Sequence, residues 1–213
     1  MFMQVLTQLL GGFNETIKVF ILTLAFSIPL GLVVCFGSMS KFSPLRALVR
    51  TFVWIIRGSP LMLQLIIIFY GPGLLFDLPA MSRFHATILA FSINYACYFS
   101  EIYRGGIESI PQGQYEAGMV LGMTKPQIFF HVVLLQVVKR ILPSITNEVI
   151  TLIKDTALAS TVAVVDLMTV AKKQVSSSSS IEPYLVAIIM YLILNGVAEQ
   201  LCKLAEKKMD YYR

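Results

Sequence analysis

The sequence contains few charged residues. Only 14% of its 213 residues are Asp, Glu, Lys or Arg, whereas soluble domains carry roughly a quarter. Hydrophobic residues make up 56%, and the mean hydropathy is +0.75. A disordered chain is excluded, because disorder needs low hydrophobicity and high net charge. A soluble globular domain is disfavoured as well, since most of the surface must meet lipid or another membrane-embedded chain.

Residues that form disulfides or bind metals are also scarce. The three cysteines, Cys35, Cys97 and Cys202, lie far apart in or beside apolar runs. Such positions favour small buried apolar residues over a disulfide framework or a metal site. The histidines, His85 and His131, have no partner at metal-ligand spacing. With no phosphate-binding glycine loop and no HExxH either, we expect neither enzymatic activity nor a cofactor bound by this chain.

Long charge-free runs predict membrane-spanning helices. They cover residues 19–40, 58–76, 84–100 and 183–198. One more run, at 141–165, is unusual because it contains ionisable residues. A helix of about 20 residues crosses a bilayer, and a lipid-exposed backbone must satisfy its own hydrogen bonds. We therefore predict an all-α membrane protein with about five transmembrane helices in one domain, residues 1–213.

The basic residues predict the orientation in the membrane. The net charge of +5 comes from 17 basic and 12 acidic residues, and the basic ones are scattered between apolar runs, which argues against nucleic acid as a partner. With the N-terminus outside and five crossings, twelve basic residues lie at or near the cytoplasmic side, four lie outside, and Lys154 lies within a crossing. Cytoplasmic loops carry the excess of Lys and Arg. We therefore expect a cytoplasmic C-terminus.

The segment 105–139 is too polar to cross the membrane and predicts two short cytoplasmic helices. The first opens at Gln112 and ends at Gly122, because glycine tolerates the left-handed backbone of a helix end. Thr124 can cap the second, with Gln127 at the position that a capping box uses.

One face of the first loop helix predicts a docking surface for a cytoplasmic partner. Ala117 and Gly118 leave this face nearly bare, so that another backbone can come close. Met119 and Leu121 supply apolar contacts. The alternative is an amphipathic helix that lies on the bilayer surface. The residues alone leave both interpretations open.

Several motifs, taken in order, resemble those of ABC importer permeases for polar amino acids. They are R-G-S-P-L at 57–61, Y-F-S-E-I-Y-R-G-G-I at 98–107, E-A-G at 116–118 followed by Gly122, N-E at 147–148 and K-D-T-A-L at 154–158. The third resembles the EAA loop of that family. The chain departs from the family pattern at Gly118 and Ala157, where alanine and serine are usual, and at Leu135, where proline is usual.

The resemblance implies a type I ABC importer permease fold and a multi-pass location in a bacterial plasma membrane. Such permeases pair with a second permease, identical or not, with two ATPase subunits beneath and an external substrate-binding protein above. ATP and Mg²⁺ would be used by the ATPase subunits. Glu116, Ala117, Gly118 and Gly122 are then expected to couple this chain to the ATPase.

Ionisable residues within a crossing predict a substrate path, because such residues are costly in lipid and usually face a cavity. Glu148 and Asp155 are seven residues apart, so they share one helix face. We expect these acids to attract the ammonium group of an amino acid, which favours a cationic one. Asn94 can hydrogen-bond the substrate and Arg57 can hold its carboxylate, although for Arg57 the residues favour extension to the membrane interface.

Two alternatives to this substrate path stay open. The charged residues of the crossing can pair with other helices and only hold the bundle together. Arg57 can extend to the membrane interface instead of binding a carboxylate. The alternative function is a secondary carrier or channel that works without ATP. Such proteins usually contain an internal repeat, and the sequence shows no convincing inverted halves.

Overall fold

The chain folds as a bundle of helices. In the computed structural model, which describes residues 2–79 and 81–209, no strand is present. The helices are α1 (Phe2–Ser38), α2 (Ser43–Gly58), α3 (Leu61–Phe76), α4 (Arg83–Glu108), α5 (Gln112–Val120), α6 (Lys125–Ile128), α7 (Leu134–Asp155), α8 (Leu167–Ser178) and α9 (Glu182–Lys208). The all-α prediction is confirmed for this part of the chain. Residues 1, 80 and 210–213 of the predicted domain lie outside the described residues.

The second loop helix and the crossing after it form one long helical rod. A π-helical turn, Phe129–Val133, joins α6 to α7, and a 3-10 segment, Thr156–Val162, extends α7. The rod therefore runs from Lys125 to Val162. The prediction of a short helix followed by a separate crossing at 141–165 is wrong. The chain has no glycine or proline from 127 to 142, so nothing ends the helix there.

The predicted crossing at 58–76 begins at a sharp break. α2 and α3 lie at 106° to each other. Between them Ser59 and Pro60 are extended, with φ of −112° and −64°. Proline has no backbone N–H, and its ring clashes with a preceding helical turn. The helix is therefore interrupted at this step, and α2 is an additional helix before it.

The apolar surface supports a membrane location. Three described helices are long and apolar enough to cross a membrane, and the bent pair α2–α3 makes a fourth if it counts as one span. α4 is not among them because it carries polar residues such as Ser92, Asn94 and Ser100, which are buried inside the bundle. The count of five crossings and the outward N-terminus stay predictions.

The inner helix α4 packs along α1 and against α3 and the rod. Its large side chains, Phe91, Tyr95 and Phe99, are almost fully buried. α1 comes close to α4 at Gly31, where a Cβ would lie 2.9 Å from Phe99 Cβ. The outer face of α9 instead exposes large apolar residues such as Leu192, at 65%. Large apolar patches of this kind mark surfaces that meet lipid or another chain.

Adjacent glycines near the end of α4 provide a test of this packing. A Cβ at Gly106 would lie 2.2 Å from Ile141 Cγ2, whereas a Cβ at Gly105 meets nothing within 4 Å. We expect Gly106→Ala to lower the free energy of unfolding by about 1–3 kcal/mol, as overpacking does. Chemical denaturation in detergent measures this change.

The matched control is Gly105→Ala. It adds the same methyl group at an exposed helical position and should raise stability by up to about 1 kcal/mol, since alanine favours helix more than glycine does. Equal effects of the two substitutions would contradict the close contact between α4 and the rod.

Candidate functional site

A polar cavity of about 530 Å³ lies beside the α2–α3 break. Its walls come from the break, the middle of α4 and the end of the rod. Arg57, Asn94, Glu148 and Asp155 all line it. The structure therefore brings together every residue of the predicted substrate path, although these residues come from three different helices.

The two acids reach the cavity from one face of α7, as their spacing predicts. Asp155 Oδ2 accepts a hydrogen bond from Tyr95 Oη at 2.8 Å, and Tyr95 is only 2% exposed. No residue in the described part of the chain donates a hydrogen bond to Glu148. Lys154 lies on the exposed side of the helix and does not line the cavity. The Glu148 carboxylate is thus free to accept a donor from a ligand.

Arg57 lies at the rim of the cavity between an aromatic ring and an acid. Its Cζ lies 5.1 Å from the centre of the Tyr98 ring, and its Nη1 lies 3.6 Å from Glu101 Oε2. Glu101 binds Arg104 more closely, with N–O distances of 2.6 Å and 3.0 Å. Glu101 therefore forms its main salt bridge with Arg104. The contact of Arg57 with Glu101 is the longer of the two ion pairs. The Arg57 guanidinium can therefore turn to a ligand while Glu101 stays paired with Arg104.

The loop helix α5 lies at one end of the rod. Glu116 and Ala117 are exposed, and so are the apolar side chains Val120 and Leu121, at 87% and 79%. Gly122 has a φ of +76°, which is the left-handed conformation that the sequence predicts. α5 thus presents an exposed apolar edge next to one acid.

The predicted cap of the second loop helix is confirmed. The Thr124 backbone N–H donates to Gln127 Oε1 at 2.8 Å, and the capping box is formed. The rod therefore starts at a defined residue immediately after the turn at Gly122.

Gly118 does not lie on the exposed face of α5, contrary to the prediction. It is buried, and a Cβ there would lie 2.6 Å from Ile128 Cγ1. The bare surface at Gly118 is therefore already filled by a residue of the rod. The permeases that this sequence resembles usually have alanine at this position. Here a Cβ would clash with Ile128, which explains the glycine.

Two further hydrogen bonds tie the loop to the rod. Gln136 Nε2 donates to Gln114 Oε1 at 3.2 Å, and the Arg140 guanidinium donates to the Ser109 carbonyl. Together with the Gly118–Ile128 contact, they hold the segment from Ser109 through α5 against the same rod that carries both acids of the cavity.

Residues 27–211 match the family described as "Binding-protein-dependent transport system inner membrane component". The chain belongs to this family.

Proteins similar in sequence to this chain include three bacterial permeases. The L-cystine transport system permease protein TcyB of Bacillus subtilis (strain 168) is 38% identical over 210 residues, which cover 95% of this chain and 86% of that protein. The octopine transport system permease protein OccM of Rhizobium radiobacter is 35% identical, over 85% of this chain and 79% of that protein. The arginine transport system permease protein ArtQ of Bacillus subtilis (strain 168) is 32% identical, over 94% and 92%.

Solved structures show the fold of this inner membrane component. The structure described as "Crystal structure of an amino acid ABC transporter with histidines" matches with a TM-score of 0.90 and 29% identity, over 97% of this chain and 96% of that one. An inward-facing structure of the MetNI methionine ABC transporter matches with a TM-score of 0.73 at 16% identity, over 96% of this chain and 95% of that one, and so shows the fold alone. The predicted type I ABC importer permease fold is confirmed.

The sequence reading of this family member missed Gln64. This residue is 8% exposed, and its Oε1 accepts a hydrogen bond from Asn94 Nδ2 at 3.0 Å. Asn94, predicted to bind a ligand directly, therefore already has a protein partner. The available signal was a lone amide in the apolar run of α3, one helical turn after Pro60.

The Tyr95–Asp155 hydrogen bond joins α4 to the rod of this inner membrane component and gives a stability test. We expect Tyr95→Phe to lower the free energy of unfolding in detergent by about 1.5–3 kcal/mol, the range for a buried hydrogen bond to a charged group.

Tyr103→Phe is the matched control in the same helix. Its Oη lies 3.4 Å from the Ile28 carbonyl oxygen, which is long for a hydrogen bond. We expect it to lower the unfolding free energy by less than about 1 kcal/mol. Equal losses for the two variants would remove the special role of the Asp155 contact.

Proposed function

We propose that this chain is the membrane permease subunit of an ATP-driven importer of amino acids. One observation carries the proposal: two acids, an arginine and an amide line a single cavity at a break in a membrane helix. An amino acid has an ammonium and a carboxylate group at fixed separation, and this set of side chains is complementary to both. The names of the relatives support amino acid transport.

The charge of the cavity favours a cationic amino acid. Glu148 and Asp155 bring two negative charges, whereas Arg57 brings one positive charge that Glu101 shares. A second ammonium or a guanidinium on the substrate would neutralise the remaining acid. The volume, about 530 Å³, lies in the range of small-molecule sites. The relatives' names mention L-cystine, octopine and arginine, so similarity alone does not choose among them.

The proposed assembly supplies the energy from outside this chain. A second permease, identical or sibling, would complete the translocation path, and two ATPase subunits, with ATP and Mg²⁺, would dock on the loop that contains α5. An external substrate-binding protein would deliver the amino acid. The complex would lie in a bacterial plasma membrane with the C-terminus in the cytoplasm.

The coupling step would use α5 as the contact with the ATPase. Glu116, Ala117 and the turn at Gly122 are exposed there, and the apolar edge at Val120 and Leu121 is available to a partner. Gly118 would contribute to coupling as a buried residue, because its missing side chain lets α5 pack closely against Ile128 of the rod. Closure of the ATPase dimer would thus move the rod and the acids on it.

The test of the assembly is uptake into proteoliposomes that contain the permease, the ATPase and the binding protein. Import should require ATP in the compartment that holds the ATPase. Import that persists without ATP and follows an ion gradient would instead favour a secondary carrier.

Asp155→Asn tests the substrate path. We expect the uptake rate of a cationic amino acid to fall by about tenfold, equivalent to about 1.4 kcal/mol, because the substrate loses one counter-charge. Asparagine keeps an oxygen that can accept from Tyr95, so the fold contact is retained.

Glu199→Gln is the control, since Glu199 pairs with Lys203 on the surface of α9, where an ion pair contributes little to stability. Its uptake should match that of the unmodified assembly. Unchanged uptake and unchanged substrate preference in Asp155→Asn would remove Asp155 from the substrate path.

Gly122→Pro tests the coupling loop. Proline fixes φ near −65°, whereas Gly122 has a φ of +76°. The turn between α5 and the rod must therefore distort. We expect the assembled complex to hydrolyse ATP but to import little amino acid, as measured by parallel hydrolysis and uptake assays.

The control for the loop is Gly113→Ala, at a position of α5 where a Cβ meets nothing within 4 Å. It should import normally. Normal transport by Gly122→Pro would show that the docking assignment is wrong.

A further inference from the structure

The break between α2 and α3 leaves backbone oxygens without their helical donors. In a continuous helix the Ile56 carbonyl would accept from the N–H of residue 60. That residue is Pro60, which has none. Gln64 Nε2 donates instead, at 2.7 Å from Ile56 O, 3.0 Å from Ser59 O and 2.9 Å from Ser59 Oγ. One side chain of α3 therefore holds the end of α2.

The other end of the same amide reaches the cavity. Gln64 Oε1 accepts from Asn94 Nδ2 at 3.0 Å, and Asn94 is 4% exposed and lines the cavity. An amide nitrogen carries two N–H groups, so Asn94 can donate one to Gln64 and the other to a ligand oxygen. Arg57 follows Ile56 directly, so the bond to the Ile56 carbonyl also fixes where Arg57 enters the rim.

We propose that Gln64 is a positioning residue that couples occupancy of the cavity to the angle between α2 and α3. This rests on the proposed function. Gln64 contacts Asn94 through its Oε1 and the residue before Arg57 through its Nε2. A carboxylate bound by both Asn94 and Arg57 would therefore stabilise one angle between α2 and α3. Movement of α2 against α3 conversely separates Asn94 from Arg57 and weakens the hold on the ligand.

The chemistry of this link is specific to glutamine. Glutamate keeps an oxygen for Asn94 but has no N–H for the carbonyls of Ile56 and Ser59. Methionine has a similar length and provides neither a donor nor a strong acceptor. Both replacements remove the Gln64 donor from the half-buried carbonyls of Ile56 and Ser59 and leave Ile56 only the longer contact from Ser59 Oγ, at 3.4 Å.

The experiment measures ATP hydrolysed per amino acid imported, in proteoliposomes with the complete assembly. Loss of structure lowers ATP hydrolysis and amino acid uptake together, whereas loss of coupling raises the amount of ATP hydrolysed per amino acid imported. We expect Gln64→Met and Gln64→Glu to raise the ratio at least about fivefold, the lower end of allosteric couplings. The control is Gln200→Met, the same change at an exposed position of α9, and it should leave the ratio unchanged.

A double-mutant cycle with Asn94→Ala tests the path of the coupling. If Gln64 acts through Asn94, the double variant should show the same ratio as Gln64→Met alone, because both substitutions break one link. The proposal would be overturned if the fold-increase in the double variant equalled the product of the fold-increases in the two single variants. A Gln64→Met ratio equal to that of the unmodified assembly would overturn it as well.

Two further outcomes separate the possible failures. If Gln64→Met does not assemble with the ATPase, the same ratio is measured in Ser59→Ala, which removes one acceptor of the Gln64 amide. A ratio raised at least about twofold supports the link, and an unchanged ratio overturns it. If the unmodified assembly imports without ATP, the proposed function itself fails, whatever the variants do.

Discussion

The missing N–H of Pro60 is the constraint on which the cavity depends. It ends α2, leaves the Ile56 carbonyl without a helical donor and forces α3 to leave at 106°. An unsatisfied buried carbonyl costs about 1–3 kcal/mol, and more where no water can reach it. The half-buried Ile56 oxygen would bear part of this cost, and the Gln64 amide offsets it by donating at 2.7 Å. The divergence of the two helices opens the space into which α4 and the rod bring their polar side chains.

The charges around this space are distributed unevenly. Glu101 is neutralised by Arg104 in a two-point contact, with Arg57 as a more distant partner. Asp155 has one neutral donor, Tyr95, and Glu148 has no hydrogen-bond donor in the described part of the chain. Charged groups that only hold helices together pair with each other, as Glu101 does. The two acids of the cavity do not, and this favours the substrate path over a purely structural role.

Local patterns predicted the parts of the site that depend on local geometry. The seven-residue spacing predicted a shared face for Glu148 and Asp155, and glycine predicted the left-handed turn at residue 122. The contact of Gln64 with Asn94 spans 30 residues, and that of Tyr95 with Asp155 spans 60. No local period encodes such pairs, because they depend on how helices pack. The same reason explains the inward position of Gly118, whose neighbour Ile128 belongs to another helix.

In the proposed assembly, the continuity of the rod decides how a force on α5 would reach the cavity. From Lys125 to Asp155 a helix rises about 1.5 Å per residue, or about 45 Å in total. A short helix joined by a flexible loop to a separate crossing would absorb a small displacement in the loop. A continuous helix transmits more of it, because its backbone hydrogen bonds resist stretching and bending, although Pro143 removes one of them. The π-helical turn at Phe129–Val133 is the irregular step between the loop and the acids. It lies beside Ile128, on which Gly118 packs, so α5 contacts the rod next to this irregular turn.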